Sequence, residues 1–147
     1  MTDNIALVRD TYEAWNERDF DRQVAAMSPD VTLTMMGTGE VLRGIEGGRR
    51  YGTSWADAFP DGHITLDTVA GDADTVVVEF TGRGTHTGTL ETSMGSIPPT
   101  GRSVTLHFCD VLQMRDGKIV SQNTYLDTGS LMTQLGLAPQ EAAAPQQ

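Results

Sequence analysis

The chain has a single cysteine, Cys109, which excludes an intrachain disulfide and any cysteine-rich metal site. Its three histidines, His63, His86 and His107, show no spacing of the H-x-x-x-H kind, so no metal site is legible. Basic residues are also scarce. Ten Lys and Arg stand against twenty Asp and Glu, a formal charge of −10, and the only adjacent basic pair is Arg49-Arg50. Such a surface repels a phosphate backbone, so nucleic acid is not an expected partner. Long apolar runs are missing as well: none approaches the roughly 20 residues that cross a bilayer. The opening "MTDNIALVRD" places Asp3, Arg9 and Asp10 where a secretory peptide is apolar. No membrane is expected, and the cytoplasm is the expected location.

What is present is a set of helical patterns followed by strand patterns. Ile5, Val8, Tyr12 and Trp15 recur at steps of three and four, which predicts a helix from about Asp3 to Arg18. A short helix from Phe20 to Met27 follows and is ended by "SPD" at Ser28 to Asp30. Val31 to Met36 reads as a strand, "GTGE" as a turn and "VLR" as the return strand. In "GIEGGRRYGTSWADAFP", Ile45, Gly48, Gly52, Trp55 and Phe59 fall at helical spacing up to Pro60. Four strands are then expected: His63 to Ala70, Thr75 to Thr85, Ser103 to Met114 and Ile119 to Leu126. The turns "GDAD" and "RDGK" make their neighbours antiparallel hairpins. Glu91 to Gly101 reads as a longer loop, and "TGSLMTQLG" as a last helix stopped by Gly136. Helices first and a meander afterwards describe a single α+β domain over residues 1–137, its helices covering one face of a curved antiparallel sheet, with residues 138–147 a disordered tail.

One residue breaks the strand pattern. In "SVTLHFCDVLQM" the even positions are Val104, Leu106, Phe108, Asp110, Leu112 and Met114, so a carboxylate sits on an otherwise apolar face. Buried there, its charge must be paired, hydrogen-bonded or lost. The outer parity, with His107, Cys109 and Val111, is too apolar for a fully solvated face and predicts a homodimer through the sheet.

The element order, with "GTGEVLRGIEG", "RGTHTG", "IPPTGR", "RDGKIV" and "YLDTGSLMTQLG", resembles the SnoaL-like polyketide cyclases of the nuclear transport factor 2-like superfamily. The resemblance implies a cone-shaped α+β fold, a cavity between helices and concave sheet, a homodimer, and neither metal nor organic cofactor. It further implies a cofactor-independent enzyme that closes a ring of a polyketide-like, small hydrophobic ligand by intramolecular aldol condensation. Epoxide hydrolysis, other hydrolase or isomerase chemistry, and ligand binding without catalysis are the alternatives this superfold also hosts.

In the family a carboxylate on the last strand removes the proton, helped by a histidine on the strand before. Counting from Asp116 to Lys118, the carboxylate position is here Thr124 and the histidine position is Asp110. A threonine hydroxyl cannot replace that base, which moves the candidate base to Asp110. Gln122 and Thr124 share a face of the last strand and are expected to hold the carboxylate or a substrate carbonyl. His86 is expected at the pocket rim, to polarise a carbonyl or carry a proton, with loop anchoring its plainer role. Tyr12, Trp15, Tyr51, Trp55, Phe59 and Phe108 are the expected ligand-contacting wall. Gly48 and Gly52, on the apolar stripe of the third helix, are expected to leave extra room in the cavity. Asp127 is expected to cap the last helix.

Overall fold

A computed structural model describes residues 3–93 and 95–137. The first helix, α1, spans Asn4–Asn16 and is capped by the Asp3 side chain, which accepts from the Ala6 N–H. Its Val8, Tyr12 and Trp15 turn inward, as their spacing requires. Helix α2 is only Phe20–Val24, shorter than its sequence suggests, because the chain is already extended at Met27. Strand β1 runs Met27–Met35 and so takes in the "SPD" segment. The physical reason lies on the neighbouring strand: Ile119 donates its N–H to the Ala26 carbonyl, and Met27 pairs with Ile119. Pro29 is tolerated there because the register is irregular between Met27 and Thr32.

Strand β2 (Glu40–Arg43) returns along β1 and leads straight into α3 (Gly44–Ala58). Strands β3 (His63–Gly71) and β4 (Thr75–Thr85) form the first long hairpin. The segment expected to be a plain loop holds a two-stranded ribbon, β5 (Leu90–Thr92) with β6 (Gly95–Ile97), anchored by buried Leu90. Strands β7 (Ser103–Arg115) and β8 (Lys118–Leu126) form the second long hairpin. Asp116 and Gly117 both take positive φ in its turn, 52° and 73°, the geometry that an Asp-Gly pair favours. Helix α4 (Thr128–Gln134) is capped by Asp127, as expected, and Gly136 follows with φ 79°.

The six-stranded sheet has the order β2-β1-β8-β7-β4-β3. It is mixed rather than wholly antiparallel, since β1 and β8 run parallel. Register shifts between Leu66 and Thr68 and between Gln113 and Met114 add residues on one side of their ladders, which bends the sheet around the helices. The concave face of β7 carries Val104, Leu106, Phe108, Asp110, Leu112 and Met114, all buried. Among the described residues no helix is long and apolar enough to cross a membrane. The proposed tail at 138–147 lies outside the described residues.

Candidate active site

Asp110 is 1% exposed, at the middle of the concave face. Sheet register fixes its company: Val78 of β4 lies beside it on one side and Thr124 of β8 on the other. Helix α1 crosses above and brings Tyr12 down, and its hydroxyl donates to Asp110 Oδ2 at 2.5 Å. The Gln122 amide lies 3.4 Å from the same oxygen and 3.3 Å from Thr124 Oγ1. Oδ1 has no hydrogen-bond partner. Neither Arg83 nor Arg102 forms an ion pair with this carboxylate; the ion pairs among the described residues all lie at the surface.

These surroundings set its acidity. Burial pushes the Asp110 carboxyl up to about 6, while the Tyr12 hydrogen bond and the Thr124 hydroxyl draw it down. Burial outweighs both, since the side chain is almost wholly removed from water and the Thr124 hydroxyl lies near it without a well-formed hydrogen bond. The same proximity drives both phenols up: burial and the neighbouring carboxylate hold Tyr12 and Tyr51 well above the usual tyrosine range, so both remain donors.

The carboxylate opens onto a narrow cavity of about 80 Å³. Its wall contains all six of the expected contact residues, Tyr12, Trp15, Tyr51, Trp55, Phe59 and Phe108, and Gln122 as well. Their rings touch in sequence. Tyr12 meets Phe80 at 5.1 Å, Phe80 stacks on Phe108 at 4.7 Å, and Phe108 meets Trp55 edge-on at 5.5 Å. Beyond Tyr51 and Trp55, which line both, lies a roomier cleft of about 380 Å³ that includes Thr124 and Arg50. Thr124 thus borders the outer cleft while standing directly across from Asp110.

His86 does not line this cavity, a correction to its expected place at the rim, and it takes instead the plainer of its two expected roles, anchoring a loop. It is fully buried just after β4 ends, its ring 5.4 Å from Phe59. The Thr100 N–H donates to its Nδ1 at 3.2 Å, so the ring ties the "IPPTGR" segment to the end of β4. Burial holds the ring below the usual imidazole range. The glycines of α3 are a second correction. Gly48 and Gly52 do not enlarge the cavity, because their missing side chains are replaced by other residues: a Cβ on Gly48 would lie 2.5 Å from Met27 Sδ, and one on Gly52 would overlap the Gln23 amide oxygen. Sequence reasoning also missed several lining residues, among them Thr11, Gln23, His63, Phe80 and Arg83; Gln23 is the one whose buried amide oxygen has no partner. A short helix with one polar residue facing inward gives no periodic signal. Among the described residues no three His, Cys, Asp or Glu side chains converge as a metal site.

A model of the SnoaL-like polyketide cyclase family matches residues 5–135. Among solved structures, a candidate polyketide cyclase from Streptomyces antibioticus is 27% identical, with a TM-score of 0.74 over 92% of this chain and 99% of that one. A candidate hydroxylase from Streptomyces galilaeus is 25% identical, with a TM-score of 0.76 over 92% and 97%. A SnoaL-like polyketide cyclase candidate from Jannaschia sp. CCS1, 21% identical, shares the fold at a TM-score of 0.81 over 92% and 93%. No curated protein matches significantly.

Proposed function

Because this chain belongs to the SnoaL-like polyketide cyclase family, we propose that it is an acid–base enzyme that needs no cofactor and closes a ring in a polyketide-like carbonyl compound, with Asp110 as the base. The observation that carries this reading is a carboxylate held near 6 in an apolar cavity with one oxygen unpartnered. A base of that strength is ionised at neutral pH and still basic enough to accept a proton from carbon. Oδ1 takes a proton from the carbon beside a carbonyl, and the C–H electron pair becomes an enolate. The Gln122 amide stands where it can donate to the enolate oxygen. The enolate carbon then bonds to a second carbonyl carbon of the same molecule, and the proton on Asp110 passes to the alkoxide formed there. The free volume beside Asp110 is below the several hundred Å³ that larger ligands occupy. The reacting end therefore enters the inner cavity, and the bulk of the molecule rests in the outer cleft past Tyr51 and Trp55.

Exchange of the methyl protons of acetophenone into D2O, followed by NMR, tests the base directly. The rate should rise through about pH 6 and level off above it. Tyr12→Phe removes a hydrogen bond that favours the anion, so the same rise should move to higher pH. A profile unchanged by Tyr12→Phe would detach the titrating group from Asp110.

We also place a homodimer interface on the convex side of the sheet. Tyr125 is 44% and Met36 is 42% exposed beside half-buried Cys109, an apolar patch larger than a solvated face needs. Light scattering should give twice the 15.9 kDa chain mass at micromolar concentration, and Tyr125→Glu should halve it. A wild-type monomer would refute the interface.

A further inference from the structure

Among the described residues four buried side-chain atoms lack a hydrogen bond: Asn4 Oδ1, Gln23 Oε1, His86 Nε2 and Asp110 Oδ1. Only Gln23 and Asp110 line the inner cavity. Asn4 spends its amide nitrogen on the Asp72 and Ala73 carbonyls, and His86 anchors a loop. Gln23 is the unexplained one. It is 95% buried, counting from its 5% exposure, and a buried amide oxygen without a donor is costly. The fold nevertheless makes a place for it. Its amide lies over Gly52, where a Cβ would come within 2.9 Å of the amide carbon, and the Gly52 carbonyl is itself engaged by the Trp15 indole N–H at 2.9 Å. A hydrocarbon side chain would fill the same space without the penalty.

We infer that the Gln23 side-chain amide is a ligand-recognition group, whose oxygen accepts a hydrogen bond from a hydroxyl of the bound molecule. The cavity holds two unpartnered acceptors, Gln23 Oε1 and Asp110 Oδ1, in a mostly aromatic and aliphatic wall that also includes Thr11, His63, Arg83 and Gln122. With Asp110 assigned to the α-proton, the second acceptor selects a substrate that presents a hydroxyl donor, phenolic or enolic, elsewhere on the part of the molecule held in the inner cavity. This rests on reading the cavity as the ligand site. A group that leaves the empty protein with an unpaired acceptor is satisfied only when a donor arrives, so the cost in the free state becomes discrimination in the bound one.

Three monocyclic probes separate the possibilities: phenol donates and accepts, toluene, of the same seven non-hydrogen atoms, does neither, and anisole, one atom larger, only accepts. Titration followed by 1H–15N shifts of the Trp15 indole should show phenol binding about tenfold more tightly than toluene, with anisole no better than toluene. In Gln23→Met the phenol preference should vanish while toluene affinity is kept, and the melting temperature should rise. Should Gln23→Met fail to fold, Gly52→Ala displaces the amide from its seat and carries the same comparison. A preference that survives loss of the amide overturns the inference, and so does anisole matching phenol. Should Asp110→Asn alone abolish the preference, the hydroxyl belongs to the carboxylate; Gln23 loses its role and the proposed base keeps its own. Should none of the probes bind, the ligand reading of the cavity falls as well.

Discussion

Asp110→Asn should lower proton exchange from acetophenone by about 10²- to 10⁴-fold, the usual contribution of a positioned general base. The substitution keeps the side chain's shape, and the asparagine carbonyl can still accept from Tyr12, so the aromatic wall stays in place. Its effect on stability has the opposite sign from its effect on rate. A carboxyl whose acidity in the folded state lies near 6, above its ordinary 3.8, binds its proton more tightly folded than unfolded. Between those two values the folded protein carries the extra proton, so its stability falls as pH rises. Across the full interval the loss is on the order of 3 kcal/mol. Asn cannot titrate, and the variant should therefore be as stable as wild type near pH 4 and more stable above pH 6. Melting curves from pH 4 to 8 read this directly. A variant that loses stability at pH 7 while its turnover is unchanged would make Asp110 a structural residue.

The largest loss of stability is expected at a glycine outside the cavity. Gly88 donates its N–H to the Ala58 carbonyl at 3.1 Å, so the chain after β4 lies directly on the end of α3. A Cβ there would overlap the Asp57 carbonyl oxygen and stand 2.9 Å from its carbon. That obstacle is backbone, and it cannot rotate away. Gly88→Ala must separate the loop from the helix end that carries Phe59 into the cavity. Overpacking of this kind should cost about 3 kcal/mol, or roughly 10 °C in melting temperature for a chain of this size. Gly52→Ala makes the contrast. The atoms it meets are the end of the flexible Gln23 side chain, which can swing aside, so its loss should be well below that of Gly88→Ala. Equal losses at both positions would mean that the rigidity of the obstacle does not decide the outcome.

Local pattern was enough for the long elements and for the candidate base, though not for the β5–β6 ribbon. The period of two in β7 put Asp110 on the buried face, the spacing in α1 turned Tyr12 and Trp15 inward, and Asp-Gly chemistry set the β7–β8 turn. These follow from the sequence because each depends on neighbours a few residues away. The exceptions involve residues distant in the chain. Met27 is extended rather than helical because Ile119 pairs with it, and β1 is parallel to β8 for the same reason. His86 left the cavity because Thr100 claims its ring, a contact no periodicity encodes. Gly48 and Gly52 read as missing volume on a helical wheel, yet Met27 and Gln23 arrive from a different segment to occupy it. The sequence by itself therefore determined which side chain is ionisable on an apolar face. Only the tertiary structure decided its acidity and its partners: the Tyr12 hydroxyl reaches Asp110 across a separation of 98 residues, and burial, which sets the proton's affinity, is a property of the packed whole.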